Sequence, residues 1–122
     1  MKDFNIFLEG KCRILRYNIE SLIDDIKKIE AYYDAARTGR EFNFVLDIQP
    51  FTEQVDAHLS ELMTHKTEIL KLPLMNELKM KLFILHIREL SVECFFEKTS
   101  KKVFIDKLKA VQHDLHYLER KL

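Results

Sequence analysis

Hydrophobic positions recur along this chain at helical spacing, and one stretch carries more of them than any other. It is Leu74–Phe96, LMNELKMKLFILHIRELSVECFF. A helix turns about 100° per residue. Leu74, Met75, Leu78, Leu82, Leu85, Val92 and Phe96 therefore share one stripe, while Met80, Phe83, Ile87, Leu90 and Cys94 share a second. Charged seams separate the stripes: Lys79, His86, Glu93 and Glu97 on one side, Glu77, Lys81 and Arg88 on the other. A peripheral helix needs only one apolar stripe. Two imply either a central helix with both stripes internal or a helix with a second partner.

The flanking segments show a single stripe each. In Asp3–Ala36, Leu8, Cys12, Leu15, Ile19, Leu22, Ile26, Ile29 and Tyr33 alternate four- and three-residue steps, a heptad-like seam. Gly10 interrupts it at a cost of about 1 kcal/mol against alanine, and Thr38-Gly39 is a helix stop. Pro50–Leu70 carries Phe51, Val55, Leu59, Leu62, Ile69 and Leu70, with Pro50 suited to a first turn. Lys66 falls on that stripe near its end, where its stem can lie on apolar surface and its ammonium reach water. Pro73 marks a short turn. In Ser100–Leu122 the seam is Phe104, Leu108, Val111, Leu115, Leu118 and Leu122, with Thr99 or Ser100 as cap.

Between Arg40 and Gln49, Phe42, Phe44, Leu46 and Ile48 alternate with Asn43, Val45 and Asp47. The period is strand-like, but no second strand exists to pair with. We expect an extended connector whose apolar side covers one end of the helices, where the long first helix overhangs. The alternative is a second helix that begins near Phe42 and kinks at Pro50. Four helices with two tight turns and one ten-residue connector predict an all-α, up-down-up-down antiparallel four-helix bundle with a long first helix, a single domain over residues 1–122.

Composition agrees. The chain is 47% hydrophobic and 33% charged, with two glycines and two prolines, too apolar for disorder and too poor in turn residues for an all-β fold. A chain of 122 residues buries roughly two-thirds of its unfolded surface and needs no staple. Twenty basic residues balance twenty acidic ones. That balance argues against nucleic acid and against anionic lipid as partners. The longest apolar run, Leu82–Leu85, is far below a membrane span of about 20 residues. MKDFNIFLEGK has no signal-peptide core. We expect a cytoplasmic protein whose Cys12 and Cys94 are buried small hydrophobes, not a disulfide.

At this point the chain resembles the YppE-like family, small helical proteins of Gram-positive bacteria classed as a domain of unknown function. The resemblance covers nearly the whole length. It rests on Gln49-Pro50-Phe51 followed by Val55, on Leu90-Ser91-Val92-Glu93-Cys94-Phe95-Phe96, and on the final helix from Phe104 to Tyr117-Leu118. It implies a four-helix bundle, and it implies no activity and no site residue.

The residues offer little for chemistry. Di-iron bundles need two Glu-x-x-His motifs. Here the spacing is reversed, in His65-x-x-Glu68 and His86-x-x-Glu89, and His113 and His116 lie off their seam and face water. Glu89 interrupts the first stripe, and a helical hairpin turning near Leu72–Pro73 sets it roughly level with His58. A Glu89–His58 or Glu89–Lys66 contact is then conceivable, as a buried pair or rim carboxylate, or as a metal or small-molecule site using His58, His86 and Glu89. Ser91 lies mid-helix, not on a nucleophile elbow. Cys94 on an apolar stripe is inert, no Gly-rich phosphate loop exists, and Phe95-Phe96 reads as core at one end of the helices. No cofactor is implied. The pattern predicts a non-enzymatic module that binds a protein partner or forms a homodimer. The stripe Leu78, Leu82, Leu85, Glu89, Val92 and Phe96 is its semi-exposed face, and the uninterrupted stripe is its core.

Overall fold

A computed structural model describes the backbone of residues 2–96, 98 and 100–122, and side chains from Arg13 onward within those ranges. The described residues form five α-helices and no strand: α1 (Lys2–Arg37), α2 (Gln49–Thr64), α3 (Lys66–Leu70), α4 (Glu77–Glu93) and α5 (Lys101–Lys121). The expected contributions of Leu8, Cys12, Glu97 and Thr99 lie outside the described side chains.

The heptad-like seam of α1 is its buried face. Leu15, Ile19, Leu22, Ile26, Ile29 and Tyr33 are all buried. The helix stops at Gly39, whose φ of 99° suits a residue without a Cβ. Arg40 N–H donates to the Ala35 carbonyl at 3.0 Å and Gly39 N–H to that of Ala36 at 3.2 Å, the paired bonds of a Schellman ending.

From Phe44 onward the connector is not extended. Asn43 Oδ1 accepts from the amides of Val45 and Leu46, both at 2.9 Å, and Asp47 Oδ2 accepts from Asn43 N–H at 2.9 Å. This reciprocal cap winds Phe44–Ile48 into one wide π-helical turn that runs directly into α2. Phe42 and Ile48 turn inward, but Phe44, Val45 and Leu46 stand in solvent. The period of two suggests an extended connector, but the residues that wind the turn, Asn43 and Asp47, are the polar ones set between the apolar positions. Helical structure thus begins two residues after Phe42, nearer to the alternative reading, with Pro50 in the first turn of α2.

The expected helix Pro50–Leu70 is broken at His65, whose backbone (φ −103°, ψ 15°) leaves the helical region. Thr64 Oγ1 donates back to the Glu61 carbonyl at 2.7 Å and His65 N–H to that of Leu62 at 3.0 Å, tightening the last turn of α2. Ile69 is buried nonetheless, so α3 continues the apolar stripe of α2.

Helix α4 starts three residues later than Leu74. Leu74 itself has φ 68°, and Asn76 caps the helix by accepting from Lys79 N–H at 2.8 Å. The helix also ends earlier than expected, at Glu93, and the Phe95-Phe96 pair divides: Phe95 is buried while Phe96 is exposed. Ser100 stands at the start of α5 without a side-chain capping bond.

Helix α1 packs against α2 and α5, α4 packs against the same two, and α1 and α4 meet over a smaller area. The shared core draws on every seam, with Phe83, Phe104, Leu59, Leu62, Ile87, Leu90, Leu115 and Leu118 fully enclosed. At one end, Tyr32, Phe42, Phe51 and Phe95 form a cluster of edge-to-face pairs with centroids 5.0–5.8 Å apart, and the Tyr32–Phe95 pair is tilted at 4.9 Å. Deeper in, Tyr33 stacks on Phe104 at 4.0 Å. No helix among the described residues is long and apolar enough to cross a membrane.

Candidate functional site

The two stripes of α4 have different environments. Met80, Phe83, Ile87, Leu90 and Cys94 are buried, joined by Ile84. Leu78, Leu82, Leu85, Val92 and Phe96 are exposed, each retaining between 42% and 67% of its surface. Single exposed apolar residues need no explanation. Four on one face of α4, with Phe96 just past its end, line up as a strip interrupted at Glu89, and patches of that kind mark contact sites. Met75, also on that stripe by angle, is buried because the turn before Asn76 folds it inward.

Glu89 interrupts the strip, and its partner is neither His58 nor Lys66. Lys107 of α5 reaches across and pairs with Glu89 Oε2 at 3.4 Å and with Glu93 Oε1 at 2.8 Å. Glu89 and Glu93 are one helical turn apart, so a single ammonium spans both. Burial by itself pulls the Lys107 ammonium down, but hydrogen bonds and charge from Glu93, then Glu89, outweigh it and hold its pKa above the usual lysine value. Lys66 pairs instead with Glu77 at 3.3 Å.

His58 faces the opposite way. Its Nδ1 lies 2.5 Å from Oδ2 of Asp25, a carboxylate buried between α1 and α2. Gln54 Nε2 donates to the other Asp25 oxygen at 2.8 Å, and the buried Asn18 Nδ2 donates to the His58 carbonyl at 3.0 Å. Asn18 and Asp25, both buried, are not singled out by hydrophobic periodicity. Asn18 and Asp25 are seven residues apart beside the Leu22 seam, a spacing that puts both on one edge of it.

The trio His58, His86 and Glu89 is therefore not assembled. His58 is engaged toward α1 and Glu89 toward α5. His86 lies on the flank of α4 shared with Lys79 and Glu93, whose partners Asp114 and Lys107 are on α5. Among the described residues, no three His, Cys, Asp or Glu side chains form a group able to hold a metal ion. His113 and His116 are solvent-facing, with only neighbouring carboxylates near them. Cys94 is enclosed, and burial pushes its thiol up to about 12. Its Sγ donates to the Ser91 carbonyl at 3.6 Å.

Beside the strip runs a groove of about 460 Å³ between α2–α3 and α4. Met63, Met80, Ile84 and Leu85 form its apolar floor, and Lys66, Lys81, Arg88 and Glu77 line its rim. Leu85 belongs to both groove and strip, so the two surfaces are continuous. Lys66 and Glu77 neutralise each other, and Arg88 Nε stands 3.5 Å from Asp56 Oδ1. Lys81 has no anionic partner among the described residues.

These helices and their shared core are those of a bacterial domain of unknown function, DUF1798, whose sequence profile matches residues 19–122. The chain belongs to that family. It is similar to a solved DUF1798 protein of Staphylococcus aureus, at 36% identity and a TM-score of 0.84 over 87% of this chain and 93% of that one. YppE from Bacillus subtilis shares the fold at 19% identity and a TM-score of 0.78, over 88% of this chain and 94% of its own. A Listeria innocua protein of unknown function does so at 19% identity and 0.82, over 91% and 92% of the two chains. No curated protein matches the chain.

Proposed function

We propose that the chain is a non-enzymatic cytoplasmic module for protein–protein contact or self-association, built as a single up-down-up-down antiparallel four-helix bundle. The bundle reading counts α2 with α3 as one arm. It is supported by the closed cycle of packing, α1 on α2, α2 on α4, α4 on α5 and α5 on α1. The functional reading is carried by one observation: Leu78, Leu82, Leu85 and Val92 on α4, with Phe96 just past its end, expose an apolar strip while the opposite stripe fills the core. Burying such a strip against a second surface is the ordinary driving force of association. Glu89 within the strip is drawn toward Lys107, an ammonium it shares with Glu93.

The test is the assembly state, measured by light scattering with and without candidate partners, for the native chain and for Leu82→Glu with Leu85→Glu. Association that disappears in the double variant supports the reading. A strict monomer that captures nothing through this face overturns it.

A further inference from the structure

Resting on that reading, we infer that the surface formed by the α4 strip and its adjoining groove receives an acidic amphipathic helix from a partner protein. The floor of Met63, Met80, Ile84 and Leu85 is apolar and open along one side. From Glu77 to Arg88 it follows α4 for about 16 Å, three helical turns at 1.5 Å per residue. A helix laying leucine-like anchors at i, i+4, i+7 and i+11 into such a groove is a recurrent recognition mode.

Charge decides which helix. Three cations and one carboxylate line the groove, namely Lys66, Lys81, Arg88 and Glu77. The Lys66–Glu77 pair is internally balanced, and Arg88 shares a solvent-exposed contact with Asp56. Lys81 is left unpaired among the described residues, and it stands two turns from Arg88 on the same flank. An occupant with carboxylates along one edge satisfies both, and one with lysines there is repelled.

The experiment uses three capped peptides of roughly 15 residues, identical in their leucines at i, i+4, i+7 and i+11 and carrying Glu, Gln or Lys at the flanking positions. Binding to the full chain is read by fluorescence anisotropy at low salt. The expected order is Glu over Gln over Lys, with about tenfold between the extremes. Lys81→Glu, an exposed change that breaks no ion pair among the described residues, abolishes that order, and Lys81→Glu with Arg88→Glu reverses it. Equal binding of all three peptides overturns the acidic-helix assignment while leaving an apolar contact face intact. A dimer in sedimentation equilibrium that excludes the Glu peptide overturns it in favour of a second copy. A monomer that binds no peptide overturns both this inference and the reading beneath it.

Discussion

The imidazole of His58 and the carboxylate of Asp25 meet at 2.5 Å across the α1–α2 contact, with the carboxylate only 1% exposed. A buried anion held by one histidine and one amide is costly to orphan. Asp25→Ala leaves the His58 and Gln54 donors without an acceptor and is expected to lower stability by about 3 kcal/mol. Replacing Asp25 and His58 together by leucine is expected to cost much less than the sum of the single changes, because no unpaired group remains. Urea titration of the single and double variants checks both statements, and an Asp25→Ala midpoint equal to the native one would show that the pair contributes nothing.

The two faces of α4 separate in the same measurement. Leu82→Gln, on the exposed strip, is expected to shift stability by no more than about 0.5 kcal/mol. Phe83→Ala, one residue on and fully buried, is expected to cost roughly 3–5 kcal/mol through lost contacts and a cavity. Comparable losses at both positions would mean that the strip is covered within the chain.

Leu74 holds φ 68° while exposing 73% of its surface. The left-handed region costs a residue with a Cβ about 1–2 kcal/mol. Leu74→Gly removes that strain, loses little packing, and is partly offset by the greater freedom of glycine in the unfolded chain. The expected net gain is about 0.5–1 kcal/mol, visible as a higher thermal midpoint.

Burial raises the Cys94 thiol from 9.0 in an ordinary setting to about 12. The folded chain therefore holds this proton more tightly than the unfolded one. The associated stability is fully present below pH 9 and is lost as pH rises toward 12. In a Cys12→Ala background, Cys94 is expected to resist a thiol reagent in the native protein and to react on unfolding. The stability difference between that background and its Cys94→Ala derivative is expected to narrow above pH 9. Rapid native-state labelling at neutral pH would contradict the enclosed thiol.

Regular helices were legible because burial repeats with their period. The seams Leu15–Tyr33 in α1 and Phe104–Leu118 in α5 are buried where the spacing places them, and Gly39 stops α1 through its backbone freedom. The two stripes of α4 were equally readable, and Glu89 pointed to the exposed one. Three features were hidden. Phe42–Ile48 alternates like a strand, but its fold is decided by local bonds that periodicity does not register: Asn43 Oδ1 accepts from the Val45 and Leu46 amides, and Asp47 Oδ2 from that of Asn43. The break at His65 depends on a threonine hydroxyl turning back on its own helix. Asp25 looked like one more solvated charge, since only the approach of α2 reveals the histidine and glutamine that satisfy it.

The aromatic cluster of Tyr32, Phe42, Phe51 and Phe95 joins the end of α1, the connector, the start of α2 and the end of α4. Phe95 is the last of these to be synthesised, sixty-three residues after Tyr32. Until it arrives, the other three rings lack their common neighbour. Local opening is therefore coupled across the sequence: the amides of residues 42–48 and 94–96 are expected to exchange with deuterium as one cooperative unit, and Phe95→Ala to speed both stretches together.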